Sequence, residues 1–334
     1  MRVISFAYII SALIIFATAT WVGERFWLTG LILYVLPIIG LAPLFTLAPV
    51  AIWFNYRLAI LWGSYTVVFF LFFTDFSWSS GQSDTESTLT VITHNVGQND
   101  GQRFDAFIAQ EDPDLIALQE VYCYGATDYR RRFPQYVFAH RGEFVLLSRF
   151  PILDSGYLES ANVLIGAWFR IALTQREIMV FNIHFPSLRR YLLKLNGEGP
   201  LGGLIKGDGI FAADVRKEFA LALARRVRWA QDLVANLERE TRPFLVVGDL
   251  NISSQGYLYR LFATRFADVF YARGRGWGYT FPGDVVLWGF PVPPWLRLDY
   301  LFSSPEWVPV YCRSDRGRQT QHRAVSAAFY LPSP

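Results

Sequence analysis

Cysteine is scarce: Cys123 and Cys312 are the only two in 334 residues. Two are too few for a disulfide-stapled scaffold or a cysteine zinc site. What remains is one bridge in an oxidising compartment, or two unpaired small core residues. Charge is scarce as well, at 18% of residues against roughly 25% in ordinary soluble chains. The high apolar content that goes with it excludes disorder, coiled coil and low-complexity sequence. Neither sign dominates, since 31 Lys and Arg face 28 Asp and Glu. The net charge of +3 leaves no strong footprint for a polyanion. No internal repeat recurs at a fixed period.

Apolar residues are abundant, at 52%, with a mean hydropathy of +0.24. They are concentrated at the start. Val3–Gly23 carries no charge, nothing between Arg25 and Arg57 is charged, and a third uncharged run covers Leu58–Thr74. A bilayer core takes about 20 apolar residues per helix, in a range of about 17–25. About three transmembrane helices are therefore expected in a membrane anchor over residues 1–78. Pro37, Pro43 and Pro49 predict a kinked or tilted middle span. Trp21, Trp27, Trp53, Trp62 and Trp78 fall mostly near the run ends, where amphipathic rings favour the interface. The first run, ending in Ala17-Thr18-Ala19, also fits a cleaved signal peptide. Arg2 and Arg57 mark the cytoplasmic side. Three spans, or cleavage followed by two, place everything after residue 78 outside. The expectation is a multi-pass inner (plasma) membrane protein with a periplasmic domain.

Residues 79–87 are polar and rich in Gly and Ser, a composition that predicts a flexible linker. Residues 88–334 read as one α/β domain. Short β-branched apolar runs predict buried strands at 89–96, 114–121, 176–186, 243–251, 298–304 and 322–331. Helical spacing covers Asp214–Glu240, with Phe219, Leu223, Val227, Ala230 and Val234 on one face. Shorter helices fit Gln102–Gln110 and the residues after Ser253-Ser254. The strand ends carry Asn95, Glu120, His184, Asp249 with Asn251, Asp299 and His322. One such residue is usually a turn former. Six such ends on one sheet rim predict a ligand site. Two carboxylates with amide oxygens suit a hard cation, and two histidines without cysteine suit proton transfer and phosphate contact.

The ordered succession HNV, LQEV, LLSRFPI, NIHFP, VVGDLN, Thr280-Phe281, LRLDYLF and QHRAV resembles the endonuclease/exonuclease/phosphatase superfamily over about residues 88–334. The resemblance implies an α/β four-layer sandwich, two packed β-sheets flanked by helices, and metal-dependent phosphoester hydrolysis with Mg²⁺ or Mn²⁺. By position, Glu120 resembles the family's metal-binding glutamate, with Asn95 beside it. Asp249 and Asn251 resemble the pair that orients the attacking water and contacts the phosphate. His184 resembles the histidine that bonds a phosphate oxygen, and His322 the terminal histidine oriented by Asp299. Either His322 or Asp249 takes the proton of the water. One position departs from the pattern: Thr320-Gln321-His322 stands where the family has Ser-Asp-His. Gln321 offers the metal an amide oxygen without charge, which predicts weaker metal affinity and leaves a catalytically degenerate binding module as an alternative.

The expected partners are the lipid bilayer and a phosphoester, with a lipid or membrane-borne one favoured. After residue 78, 28 Lys and Arg face 26 Asp and Glu, so nucleic acid is the lesser partner and an extracytoplasmic nuclease the second enzyme reading. The Arg130-Arg131-Arg132 and Arg225-Arg226-x-Arg228 clusters read as solvated surface or headgroup contact. Arg313, Arg316, Arg318 and Arg323 flank His322 and suit a substrate phosphate. The segment 282–298 carries Trp288, Phe290 and Trp295 beside the expected rim. It either packs on its own domain or dips into lipid.

Overall fold

A computed structural model describes residues 1–81, 83, 86, 88–97, 105–174, 176–196, 207–283, 286–287, 290–316 and 321–332, without the side chains of 35–39, 123–127, 286–287 and 290–291. The chain divides into two units. The first contains Met1–Phe76, Ser187–Val227 and Ser253–Arg260, and the second Ser77–Pro186, Arg228–Ile252 and Leu261–Pro334.

In the first unit, helices α1 (Arg2–Val22), α2 (Trp27–Phe45), α3 (Leu47–Phe54) and α4 (Leu58–Phe73) follow one another. Among the described residues one helix, Arg2–Arg25, is long and apolar enough to cross a membrane. The apolar helices Gly40–Phe54 and Leu58–Phe73 are shorter. The described residues thus support one crossing helix and do not support the expected multi-pass topology. The middle run is divided at Thr46, whose φ of −116° and ψ of −71° depart from helical values between α2 and α3. Ile9, Phe16, Leu33, Trp62, Tyr65 and Phe69 nevertheless form a common apolar core among these helices.

The second unit contains, in chain order, β1 (Leu89–Asn95), β2 (Leu115–Gln119), β3 (Val137–Arg141), β4 (Phe144–Ser148), β5 (Ile152–Ser160), β6 (Val163–Ala172), β7 (Glu177–His184), β8 (Phe244–Asp249), β9 (Ala267–Asp268), β10 (Asp299–Ser303), β11 (Val308–Ser314) and β12 (Val325–Tyr330). They form two six-stranded sheets, ordered β11-β12-β1-β2-β4-β3 and β9-β10-β8-β7-β6-β5. Each has one parallel pair at its centre, β1 with β2 and β7 with β8, flanked by antiparallel strands. Alternation assigns the faces. Val91, Ala117, Leu146 and Ala327 of one sheet meet Phe169, Val180, Leu245, Val247 and Leu301 of the other. Ile92, Ile116, Leu118 and Val145 face outward onto Phe107, Ile108, Tyr129 and Phe133 of the helices Asp105–Glu111 and Cys123–Arg132. Strands covered on both faces are apolar throughout, which is why they read as uninterrupted hydrophobic runs.

The expected linker is not a free tether where it is described. Ser77 and Trp78 pair with Gly276 and Arg275, Ser79 Oγ donates to the Gly274 carbonyl, and Ser83 N–H donates to Val310 O at 2.8 Å. An extended polar segment has unpaired backbone groups, and here the domain satisfies several of them. Cys312 is a buried free thiol, its pKa raised by burial. The side chain of Cys123 lies outside the described residues.

Candidate active site

The two parallel pairs end at one rim. Asn95 closes β1 opposite Gln119 of β2, and Glu120 follows Gln119 directly. His184 closes β7 in register with Asp249, the last residue of β8. Asp299 opens β10 directly across from Asp249. His322 precedes β12, whose Val325 pairs with Thr93 of β1. Six residues from distant stretches thus meet because the parallel strands deliver their carboxyl ends, and the antiparallel β10 and β12 their amino ends, to the same edge. Gly248 permits the closest of these approaches. At its φ of +134° a Cβ would lie 2.0 Å from Ile183 O, so β7 and β8 close up only without one.

Beneath the rim the sheets are pinned by a buried polar network. Gln119 Nε2 donates to Asn182 Oδ1 at 2.6 Å and to Thr93 Oγ1 at 3.0 Å. Asn182 Nδ2 donates to the carbonyls of Leu118 and Val145, at 3.0 and 3.2 Å. Such a network fixes the register of one sheet on the other and hence the distances across the rim.

Asp249 is the hub and is fully buried. Its Oδ2 accepts from Asn95 Nδ2 at 3.0 Å and Asn251 Nδ2 at 2.9 Å, and its Oδ1 from the Asn251 N–H at 2.9 Å. Nε2 of His322 and of His184 stand 3.6 and 3.8 Å from the same Oδ2. His322 Nδ1 bonds Asp299 Oδ2 at 2.9 Å, and Phe281 packs against the ring, 4.8 Å between centroids. Asp299 is itself positioned by Thr280, whose Oγ1 accepts from the Asp299 N–H at 3.3 Å. His184 Nδ1 bonds Glu143 Oε1 at 2.8 Å, and its Nε2 lies 3.5 Å from Glu120 Oε1. Glu143 had no sequence signal. It sits in the turn between β3 and β4, away from any strand end that reads as functional.

Each imidazole is therefore backed by a carboxylate, and the charge state follows. Burial pulls His322 down, but Asp299 and Asp249 outweigh it and hold the ring up at about 9. His184 is also raised: burial opposes the charge, while the Glu143 bond and the charges of Asp249, Glu143 and Glu120 favour it. Burial pushes the Asp249 carboxyl up, against the pull of the two histidines. His94, adjacent to Asn95, is lowered to about 4 by burial and stays neutral, its Nε2 3.1 Å from the His322 carbonyl. Two site residues also hold left-handed backbone without being glycine: Glu120 at φ +58° and Asn251 at φ +52°. Asn tolerates that region, but for Glu it is strained, a feature that clusters where side chains must be aimed.

The donor set fits a hard divalent cation. Glu120, Glu143, Asp249 and Asp299 are four carboxylates whose described ion pairs are with His184 and His322 alone. Asp299 Oδ1 and His184 Nε2 are buried without a hydrogen bond. Asp249, Asp299 and His322 offer three ligand atoms within 4.8 Å of one another. Within that group, however, His322 Nδ1 and Asp299 Oδ2 already bond each other. Glu120 and Glu143 are the more accessible carboxylates, their side chains 24% and 21% exposed, and Glu143 is engaged by His184 Nδ1. Asn95 presents its amide nitrogen to Glu120 Oε1 and Asp249 Oδ2, while its oxygen accepts from the Gly97 N–H at 2.9 Å. A cation at Glu120 needs that amide turned round. Gln321 stands apart from the cluster: its side chain is exposed and its carbonyl accepts from the Gly283 N–H at 2.7 Å. Of the apolar segment beside the rim, Trp295 is half-buried, while Trp288 and the Phe290 side chain lie outside the described residues.

The sequence profile of the Endonuclease/Exonuclease/phosphatase family matches residues 92–320. Among solved structures, a protein of that family from Bacteroides thetaiotaomicron has a TM-score of 0.51 at 17% identity, covering 75% of this chain and 100% of its own. A mannosyl-6-phosphatase of the same species has 0.51 at 17%, covering 73% and 100%. D. rerio TDP2, complexed with a single-strand DNA product, has 0.52 at 13%, covering 73% and 99%. At these identities the likeness concerns the fold. No curated protein matches.

Proposed function

The chain belongs to the endonuclease/exonuclease/phosphatase family, and we propose that it is a membrane-anchored, divalent-metal-dependent phosphodiester hydrolase working outside the cytoplasm. One observation carries the catalytic reading: two carboxylate-backed imidazoles aim Nε2 at the same oxygen of Asp249. A degenerate binding module has no use for two such pairs, each of which must be buried and paid for in desolvation.

Glu120 would hold the cation, with Asn95 turned to offer its oxygen and Gln321 as a neutral, outer contributor. Mg²⁺ or Mn²⁺ would supply positive charge to stabilise the phosphate oxygens. Asp249, oriented by Asn251 and raised by burial, accepts the proton of the attacking water. The water oxygen bonds to phosphorus as the ester oxygen leaves. His322, cationic through neutral pH and fixed by Asp299, donates to a phosphate oxygen. His184, fixed by Glu143, does the same from the other side. Both donors are in place before the charge develops, which is where preorganised donors act most strongly.

A lipid or membrane-borne phosphoester is the substrate we favour. The helix Arg2–Arg25 can hold the chain at a bilayer, and the charge balance after residue 78 lacks a polyanion footprint. The nuclease reading is supported by the TDP2 structure, which holds a DNA product on the same fold. The test is hydrolysis by the full chain in detergent micelles, with Mg²⁺, of a phospholipid, a soluble aryl diester and single-stranded DNA. Cleavage of the lipid and the aryl diester, with little on DNA, supports the proposal. DNA as the fastest substrate moves the assignment to a nuclease.

A further inference from the structure

Within the first unit, a helix of the polar segment packs on α2. Leu188, Tyr191 and Leu195, from and beside Arg189–Asn196, form a cluster with Phe219, Ala222 and Leu223, and Trp27, Leu31 and Tyr34 of α2 pack against it. α2 is apolar and begins within five residues of the end of the α1 helix, from which the crossing candidate is built. The contact residues lie in the first turns of α2. A bilayer crossed by the α1 helix would bring its headgroups to the helix Arg189–Asn196. The turn between α1 and α2 has the composition of that zone: Trp21 is 74% exposed, and Arg25 stacks on Tyr257.

Two cations are brought together here, and the nearby acid acting on Arg190, Glu218, is itself paired with Lys194. Arg190 donates through Nη2 to the Tyr191 hydroxyl and lies 4.5 Å from that ring's centroid. Arg225 donates through Nη2 to the same hydroxyl at 3.5 Å. Two guanidinium groups thus converge on one oxygen, and both residues are exposed. Neither is in an ion pair with a carboxylate among the described residues. Among the described residues Arg189 is exposed and in no ion pair, and Lys194 pairs with Glu218 at 2.6 Å. Like charges repel, and the site becomes favourable once an anion bridges them. Guanidinium forks match the geometry of phosphate oxygens, and a phenol hydroxyl between them adds a third donor. Apolar side chains lie around the cations: Leu193 is 64% exposed and Leu221 53%. A soluble phosphate makes no use of exposed leucine, while a lipid supplies acyl chain to cover it.

We propose that Arg190, Arg225 and Tyr191 bind the phosphate headgroup of an anionic membrane lipid, at a site separate from the catalytic rim. This site anchors the polar segment to the leaflet and uses none of the residues assigned to hydrolysis. It takes a net-anionic lipid in preference to a zwitterionic one, because two cations face one phosphate.

The test uses the full chain in a neutral detergent and native mass spectrometry with added phosphatidylglycerol, phosphatidylcholine or inorganic phosphate. The wild type is expected to retain phosphatidylglycerol at least tenfold over phosphatidylcholine, with no competition from millimolar inorganic phosphate. Arg190→Gln/Arg225→Gln is expected to lose that preference. Tyr191→Phe keeps the ring in its apolar cluster, removes the shared hydroxyl and is expected to weaken retention severalfold. Hydrolysis of a soluble diester is expected to stay at the wild-type rate in every variant that retains the wild-type melting temperature. Undiminished phosphatidylglycerol binding in the folded double variant or in Tyr191→Phe, or equal retention of the two lipids by the wild type, overturns the proposal. So does inorganic phosphate displacing the lipid.

Discussion

In the proposed mechanism, Glu120 and His322 are the residues on which the chemistry depends most. Removing the Glu120 charge with Glu120→Gln is expected to cut turnover by a hundredfold or more, about 2.7 kcal/mol of barrier, with partial recovery at high Mg²⁺. Kinetics across a Mg²⁺ titration checks this. His322 makes a second prediction, for protein stripped of metal by chelator. Its folded-state pKa of about 9 lies above the ordinary histidine value of 6.5. The stability it contributes is therefore fully present below about pH 6.5 and is lost as pH rises through about 9, on the order of 3 kcal/mol. Melting temperatures should fall across that window, and Asp299→Asn should flatten the fall by removing the carboxylate that raises the histidine. A wild-type melting temperature that is level from pH 6.5 to 9.5 contradicts it. Asn95, Glu120, His184, Asp249, Asn251, Asp299 and His322 were all legible in the chain, because each terminates or adjoins an apolar run. Glu143 was not, since nothing local marks a glutamate in a tight turn as the partner of a histidine forty-one positions later.

Among the elements, the central strands were legible and the peripheral ones were not. β1, β2, β7, β8, β10 and β12 are covered on both faces or end in site residues, so they read as dense apolar runs. β5 alternates half-buried and exposed positions, and β3 has no fully buried residue, so their periodicity is diluted by polar side chains. The helix Ala213–Leu237 was visible from its 3.6-residue spacing. What joins the two sheets under the rim could not be read, because the Gln119–Asn182 bond links residues 63 positions apart. Asn182→Ala removes one acceptor of Gln119 and the side-chain donor to two carbonyls, and is expected to cost about 1–3 kcal/mol for each group left unsatisfied. The same substitution should lower turnover, because the rim distances depend on how the sheets register. Thermal unfolding and the rate on a soluble diester, measured together, check both effects. A loss of neither would mean that water replaces the network without penalty.

For the whole molecule, the surplus of apolar residues at the start indicated a membrane segment, but not how many crossings it makes. Among the described residues one helix, Arg2–Arg25, is long and apolar enough to cross a membrane, and the number of crossings is not set by the apolar content. The extracytoplasmic side proposed for the catalytic unit from Arg2 and Arg57 is testable directly. A reporter that functions only outside the cytoplasm, fused after residue 334, is expected to be active, and a cytoplasm-only reporter at the same position silent. The opposite pattern places the site inside and removes the case for an extracytoplasmic substrate. The central claim, that the rim is a metal-dependent phosphoesterase centre, is tested most directly by one measurement: the rate of aryl phosphodiester hydrolysis by the full chain in detergent, with Mg²⁺, with chelator, and with His322→Ala in Mg²⁺. The account predicts Mg²⁺-dependent turnover that chelator abolishes and that His322→Ala lowers at least a hundredfold. Hydrolysis that persists in chelator, or that is unchanged in the folded His322→Ala protein, would contradict it.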